Sequence, residues 1–91
     1  MRGEGGRYAA GVAIVRMFAS ARTAAGRSRD EVPGTTVADV LDATRQRYGA
    51  AFAEILESCR VWVNGEPASP STEVGATDEV AVLPPVSGGS A

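Results

Sequence analysis

Side-chain catalysis has little to work with in this chain of 91 residues: it contains no histidine and one cysteine, Cys59, and all 9 of its basic residues are arginines. The usual nucleophile and base pairs therefore cannot be assembled. A single cysteine makes neither an internal disulfide nor a zinc site, so the fold relies on packing. The residues that could do chemistry lie instead in Pro84-Pro85-Val86-Ser87-Gly88-Gly89, directly after the apolar run Val80-Ala81-Val82-Leu83. Glycine has no side chain, so backbone walls can close around Gly88 and Gly89, and a carboxylate on Gly89 is the least hindered the chain could offer. A free carboxylate is a poor electrophile and must be activated before it reacts. Ser90 and Ala91 follow the diglycine and place the α-carboxylate on Ala91. The expectation is that a peptidase removes Ser90-Ala91 and makes Gly89 the functional end.

Presentation of such an end is built into the two prolines. They fix φ and favour an extended polyproline conformation, so Pro84-Pro85 stop the preceding strand and project the chain stiffly outward. Extended, Val86 to Gly89 reaches roughly 13 to 14 Å, enough to enter a buried site on a partner. Phe18, Leu83 and Val86 are candidates for an apolar docking patch near the tail. For Phe18, core and docking surface are equally good readings, and Trp62 reads as a half-buried sheet residue. Arg22, Arg45 and Arg47 read as solvated helix charges, and Cys59 as a core filler.

The elements that must position this tail can be read in order. Residues 1–11 are glycine-rich and aperiodic, a flexible leader. From Val12 to Phe18 a strand pattern puts Ala13, Val15 and Met17 on one face and Ile14 and Arg16 on the other. Ala19 to Ala25 makes a short helical turn before Gly26, and a second strand runs towards the Pro33-Gly34 turn. Thr36 caps the main helix, with Asp39 answering in a capping box, and Val37, Val40, Leu41, Thr44 and Tyr48 share a face up to Gly49. Phe52, Ile55, Leu56 and Cys59 mark a second helical segment. Arg60 to Val63 is a strand leading into an Asn64-Gly65 hairpin turn, Pro67 and Pro70 limit the returning strand, and Val74 anchors the connection to a last strand ending at Leu83. With one main helix over a mixed sheet of four to five strands, the chain is an α+β domain of β-grasp, ubiquitin-like type over residues 12–83, followed by an extended tail over 84–91.

Composition narrows the partners. A hydrophobic content of 44%, a charged content of 22% and a net charge of -2 describe an ordinary globular domain with no basic stripe for nucleic acid. No stretch approaches the ~18 apolar residues of a membrane span, and Arg16 interrupts the N-terminal apolar run before it could serve as a signal peptide, so the expected location is cytoplasmic.

The span from Val12 to Gly89 resembles the prokaryotic ubiquitin-like sulfur carriers, and within them most closely the small subunit of molybdopterin synthase. The resemblance rests on Arg16-Met17-Phe18-Ala19 with Ala21-Arg22, on Thr36-Val37 with Leu41, on Val63-Asn64-Gly65, and on Asp78-Glu79-Val80-Ala81 leading to Pro84-Pro85-Val86-Ser87-Gly88-Gly89. It implies a non-catalytic carrier that binds no cofactor. An E1-like adenylating enzyme would use ATP to activate Gly89, and a persulfide donor would convert the acyl-adenylate to a thiocarboxylate. The carrier would then deliver sulfur to a pterin precursor on the large subunit of molybdopterin synthase or an equivalent acceptor enzyme. Carriers for cysteine, thiamine or thiosugar synthesis share the fold and the diglycine. A β-grasp interaction module with an inert tail and a protein tag attached to other proteins' lysines are the remaining readings.

Overall fold

In the computed structural model, which describes residues 12–85, strand β1 (Val12–Met17) forms as its alternation requires: Ala13, Val15 and Met17 are buried, Ile14 is half-buried and Arg16 exposed. A seven-residue helix, α1 (Ala19–Ala25), follows at once and ends on Gly26, whose φ of 79° suits a residue without a Cβ. Strand β2 (Arg29–Pro33) returns antiparallel to β1, pairing Ala13 with Val32 and Arg16 with Arg29. Gly34 then lies so close to the next helix that a Cβ there would sit 2.8 Å from the Val40 side chain and backbone nitrogen. Glycine is the residue that permits this approach.

The main helix α2 (Val37–Tyr48) starts where Thr36 accepts a hydrogen bond from the Asp39 backbone N–H at 3.2 Å. The expected reciprocal bond is displaced by one residue: the Asp39 carboxylate accepts from the N–H and hydroxyl of Thr35, at 3.4 and 3.2 Å. Val37, Val40 and Thr44 are buried, and the Thr44 hydroxyl donates to the Leu41 carbonyl at 2.6 Å, which satisfies the one polar side chain buried among the described residues. After Gly49, α3 (Ala50–Glu57) buries Phe52 and Leu56, and the Tyr48 and Phe52 rings meet at 5.1 Å across the break.

Strand β3 (Arg60–Val63) turns through Asn64-Gly65, with φ of 51° and 86°, into the two-residue β4 (Glu66–Pro67). Positive φ at both positions is the hairpin geometry those residue types favour. Strand β5 (Glu79–Leu83) closes the sheet in the order β2-β1-β5-β3-β4, parallel to β1 and antiparallel to β3. The parallel pairing needs a crossover, and the helical region between β2 and β3 supplies it. Val80 and Val82 are fully buried against the helices; Ala81 and Leu83 lie on the opposite face.

Five strands and the β-grasp arrangement match the expected fold class. The helical layer is richer than one main helix, because α1 buries Ala21 and packs against α3, so the short turn between the first two strands is a structural element in its own right. The leader at 1–11 and the tail from Val86 to Ala91 lie outside the described residues.

Candidate functional site

The root of the tail is the C-terminal end of β5, and β5 is the middle strand of the sheet. Two ladders fix its direction. On one side Leu83 pairs with Arg60 and Ala81 with Trp62; on the other Ala81 pairs with Arg16 and Val82 with Met17. The β1 ladder is extended by one bond, from the Phe18 N–H to the Val82 carbonyl at 3.3 Å. Pro84, which cannot donate to a ladder, follows Leu83 and is half-buried, and Pro85 is exposed. A strand held from both sides as far as Val82, paired with β3 at Leu83 and then stopped by proline gives the following residues a fixed point of departure.

Phe18 is 41% exposed, the one large hydrophobic residue so exposed among the described residues. It is therefore surface rather than core. Its backbone is extended, and its carbonyl accepts from the N–H groups of Ala21 and Arg22, so the residue opens α1 without a side-chain cap. Ala19 next to it has φ of 52°, in the left-handed region that a residue with a Cβ enters at a cost. Leu83 is half-buried on the open face beside Ala81, and Trp62 is half-buried across the same row. Phe18, Leu83, Pro84 and Pro85 thus come together at one end of the sheet. Val86, Ser87, Gly88 and Gly89 fall outside the described residues.

Cys59 lies beside a concavity of about 370 Å³ between the helices and the β3–β4 hairpin, lined by Val37, Leu41, Leu56 and Val61 among others. Its thiol is half-buried and donates to the Ile55 carbonyl at 3.2 Å, and burial pushes its pKa up. A thiol so held is not a ready nucleophile, in keeping with a packing role.

Of the arginines singled out from sequence, Arg47 is not merely solvated. It donates to the Asp30 carboxylate at 2.7 Å and to the Glu31 carbonyl at 3.0 Å, tying α2 to β2. Arg45 pairs with Asp42 on the surface of α2 at 2.6 Å. The arginines beside the tail root on the open face are others, Arg16 and Arg60. Strand register is what puts them there, and no local pattern in the sequence carries it.

Residues 15–89 match the ThiS family, a span that ends on Gly89 and leaves Ser90 and Ala91 outside. The chain is 35% identical over 92 aligned positions to a molybdopterin synthase sulfur carrier subunit from Pyrenophora tritici-repentis, covering 92% of this chain and 97% of that protein. It is 33% identical to the protein of the same name from Phaeosphaeria nodorum, covering 79% of this chain and 84% of the relative. Among solved structures it is similar to the small archaeal modifier protein SAMP1 from Haloferax volcanii, with 31% identity, a TM-score of 0.77, and 86% and 99% of the two chains covered.

Proposed function

This chain belongs to the ThiS family and is a ubiquitin-like sulfur carrier, and from that premise we propose that its working end is Gly89, exposed by removal of Ser90-Ala91 and loaded with sulfur as a thiocarboxylate for molybdopterin synthesis. The observation that carries this reading is the root of the tail: the central strand β5 ends at Leu83, at the end of the sheet where exposed Phe18 lies, and passes into Pro84-Pro85. An E1-like enzyme adenylates the Gly89 carboxylate with ATP, releasing pyrophosphate. A persulfide sulfur then displaces AMP, and a thiol cleaves the resulting S–S bond to leave the thiocarboxylate. The carrier itself is not a catalyst: acid, base and phosphate-binding groups come from the partners, and the carrier contributes the reacting end and its direction. The names of the fungal relatives support the large subunit of molybdopterin synthase as acceptor.

Incubation of a Gly89-terminated chain with its E1-like enzyme, ATP and a sulfide source should raise the intact mass by the difference between sulfur and oxygen. The 91-residue chain should stay unmodified until Ser90-Ala91 are removed. Adenylation and thiolation of both forms at the same rate would reject the processing step, and an unchanged mass for the Gly89-terminated form would reject the carrier chemistry.

The likeness to SAMP1, a modifier by name, favours one second reading, in which the activated Gly89 is joined to amines of other proteins. It predicts covalent adducts that survive a denaturing gel in place of a free thiocarboxylate. This chain has no lysine with which to accept a copy of itself.

A further inference from the structure

The outer strands of the sheet are β2 and β4, and the ladder to β1 fixes which backbone groups of β2 face outward. Met17 donates its N–H to the Ser28 carbonyl at 2.9 Å, and Ile14, opposite Glu31, donates away from β2 to the Asp78 carbonyl at 2.9 Å. Bonding alternates from residue to residue in an antiparallel pair, so Asp30 and Val32 turn their backbone groups to β1, while Arg29, Glu31 and Pro33 turn theirs away from the sheet. Such an edge is a template for another strand. Here it is largely closed. The Glu31 N–H donates to Asp30 Oδ1 at 2.8 Å, and the Glu31 carbonyl accepts from Arg47 of α2 at 3.0 Å. Pro33 has no N–H to give. The Asp30 carboxylate is itself held by Arg47 at 2.7 Å and by the Tyr48 hydroxyl, so α2 reaches over the edge and keeps the plug in place. Among the described residues no side chain caps Arg29 in this way. At the other side of the sheet, β4 is two residues long and includes Pro67.

We propose that Asp30 and Arg47 close the β2 edge against strand addition, and that the partner they exclude is a second copy of this chain. The strand beneath them is self-complementary. With two β2 strands antiparallel about a two-fold axis at Asp30, Arg29 of each copy lies opposite Glu31 of the other. Both residues face outward, so each of these pairs exchanges two backbone bonds, N–H to carbonyl in both directions. Opposite charges then meet on the same face of the sheet. In the intact protein that register costs Glu31 its bonds to Asp30 and Arg47, and it sets the two Asp30 carboxylates against each other. The closure is made by side chains of the one chain and is independent of the sulfur-carrier reading.

The test follows the apparent mass of the full chain by sedimentation velocity over about a hundredfold range of concentration, in the μM to mM regime where unpaired edges associate. The wild type should keep the mass of one chain throughout. Asp30→Ala should rise towards about twofold that mass at the highest concentration. Arg47→Ala, which frees the Glu31 carbonyl but leaves Asp30 its bond to Tyr48, should rise less. Adding Glu31→Pro to Asp30→Ala removes the outward N–H without touching the ladder to β1, and should restore a single chain. In dilute Asp30→Ala, exchange of the Glu31 amide hydrogen should speed up by about tenfold or more, a readout that does not depend on association. Thermal melts establish which variants are folded, and if Asp30→Ala is not, Arg47→Ala carries the test alone. A wild type that dimerises, or folded variants that stay single chains at every concentration, overturns the proposal. So does association of Asp30→Ala that persists with Glu31→Pro, since it then comes from a surface other than β2.

Discussion

Asp30 is the residue whose surroundings say most about how this small fold holds together. Its side chain is only 12% exposed, and it accepts hydrogen bonds from the Tyr48 hydroxyl, from Arg47 at 2.7 Å and from the Glu31 N–H at 2.8 Å. Burial alone would raise its pKa, but the hydrogen bonds from Tyr48, Arg47 and Glu31, with the charge of Arg47, hold the carboxyl below its usual range. Burial, and then the hydrogen bond to Asp30, push Tyr48 from 10.0 up to about 12. The two shifts act at opposite ends of the pH scale. Asp30 is depressed when folded, so its contribution is present above the ordinary carboxylate range and is lost as pH falls through the folded value. Tyr48 is raised when folded, so its contribution is full below pH 10.0 and is lost as pH rises towards about 12. Urea melts across this range should show Tyr48→Phe flattening the alkaline loss and Asp30→Asn weakening the acid one. Asp30→Asn should also cost about 1.5 to 3 kcal/mol at neutral pH, the scale of hydrogen bonds to charged groups.

Among the elements, α2 is the one the sequence describes most fully, because its signals are local: a threonine cap, apolar residues at helical spacing, and a terminal glycine. Thr36→Ala should cost about 1 kcal/mol in chemical denaturation, since it leaves the Asp39 N–H without its cap. The Asn64-Gly65 turn was equally legible, as was the short β4 that Pro67 and Pro70 foreshadow. Less legible was whatever depends on a partner far along the chain. Tyr48 reads as one more apolar-face residue of α2, yet its ring meets Phe52 while its hydroxyl serves Asp30, 18 residues earlier. Arg47 reads as solvated and is instead a tie to β2. The weight of α1 was missed for a similar reason: an alanine-rich stretch has no strong periodic face, and the burial of Ala21 comes with the packing of α1 against α3, about 30 residues further along the chain.

At the scale of the whole molecule, the division between core and surface runs through the two phenylalanines. Phe52 is fully buried and Phe18 is 41% exposed. Phe52→Ala should cost about 3 to 5 kcal/mol, much of the stability of a domain this size. Phe18→Ser should shift the melting temperature little and instead raise KM for the activating enzyme, measured by pyrophosphate release. The sequence alone could name Phe18 as a candidate, but its exposure follows from strand order, which brings the end of β1 beside the end of β5. The parallel pairing of β1 with β5 has a mechanical meaning as well. A partner that grips the tail pulls on the central strand along its own length, against ladders on both sides. The hydrogen bonds are then loaded together in shear rather than opened one after another from an end. Traction applied beyond Leu83 would thus fall on the strongest direction of the sheet, and the domain could be tugged without being unravelled.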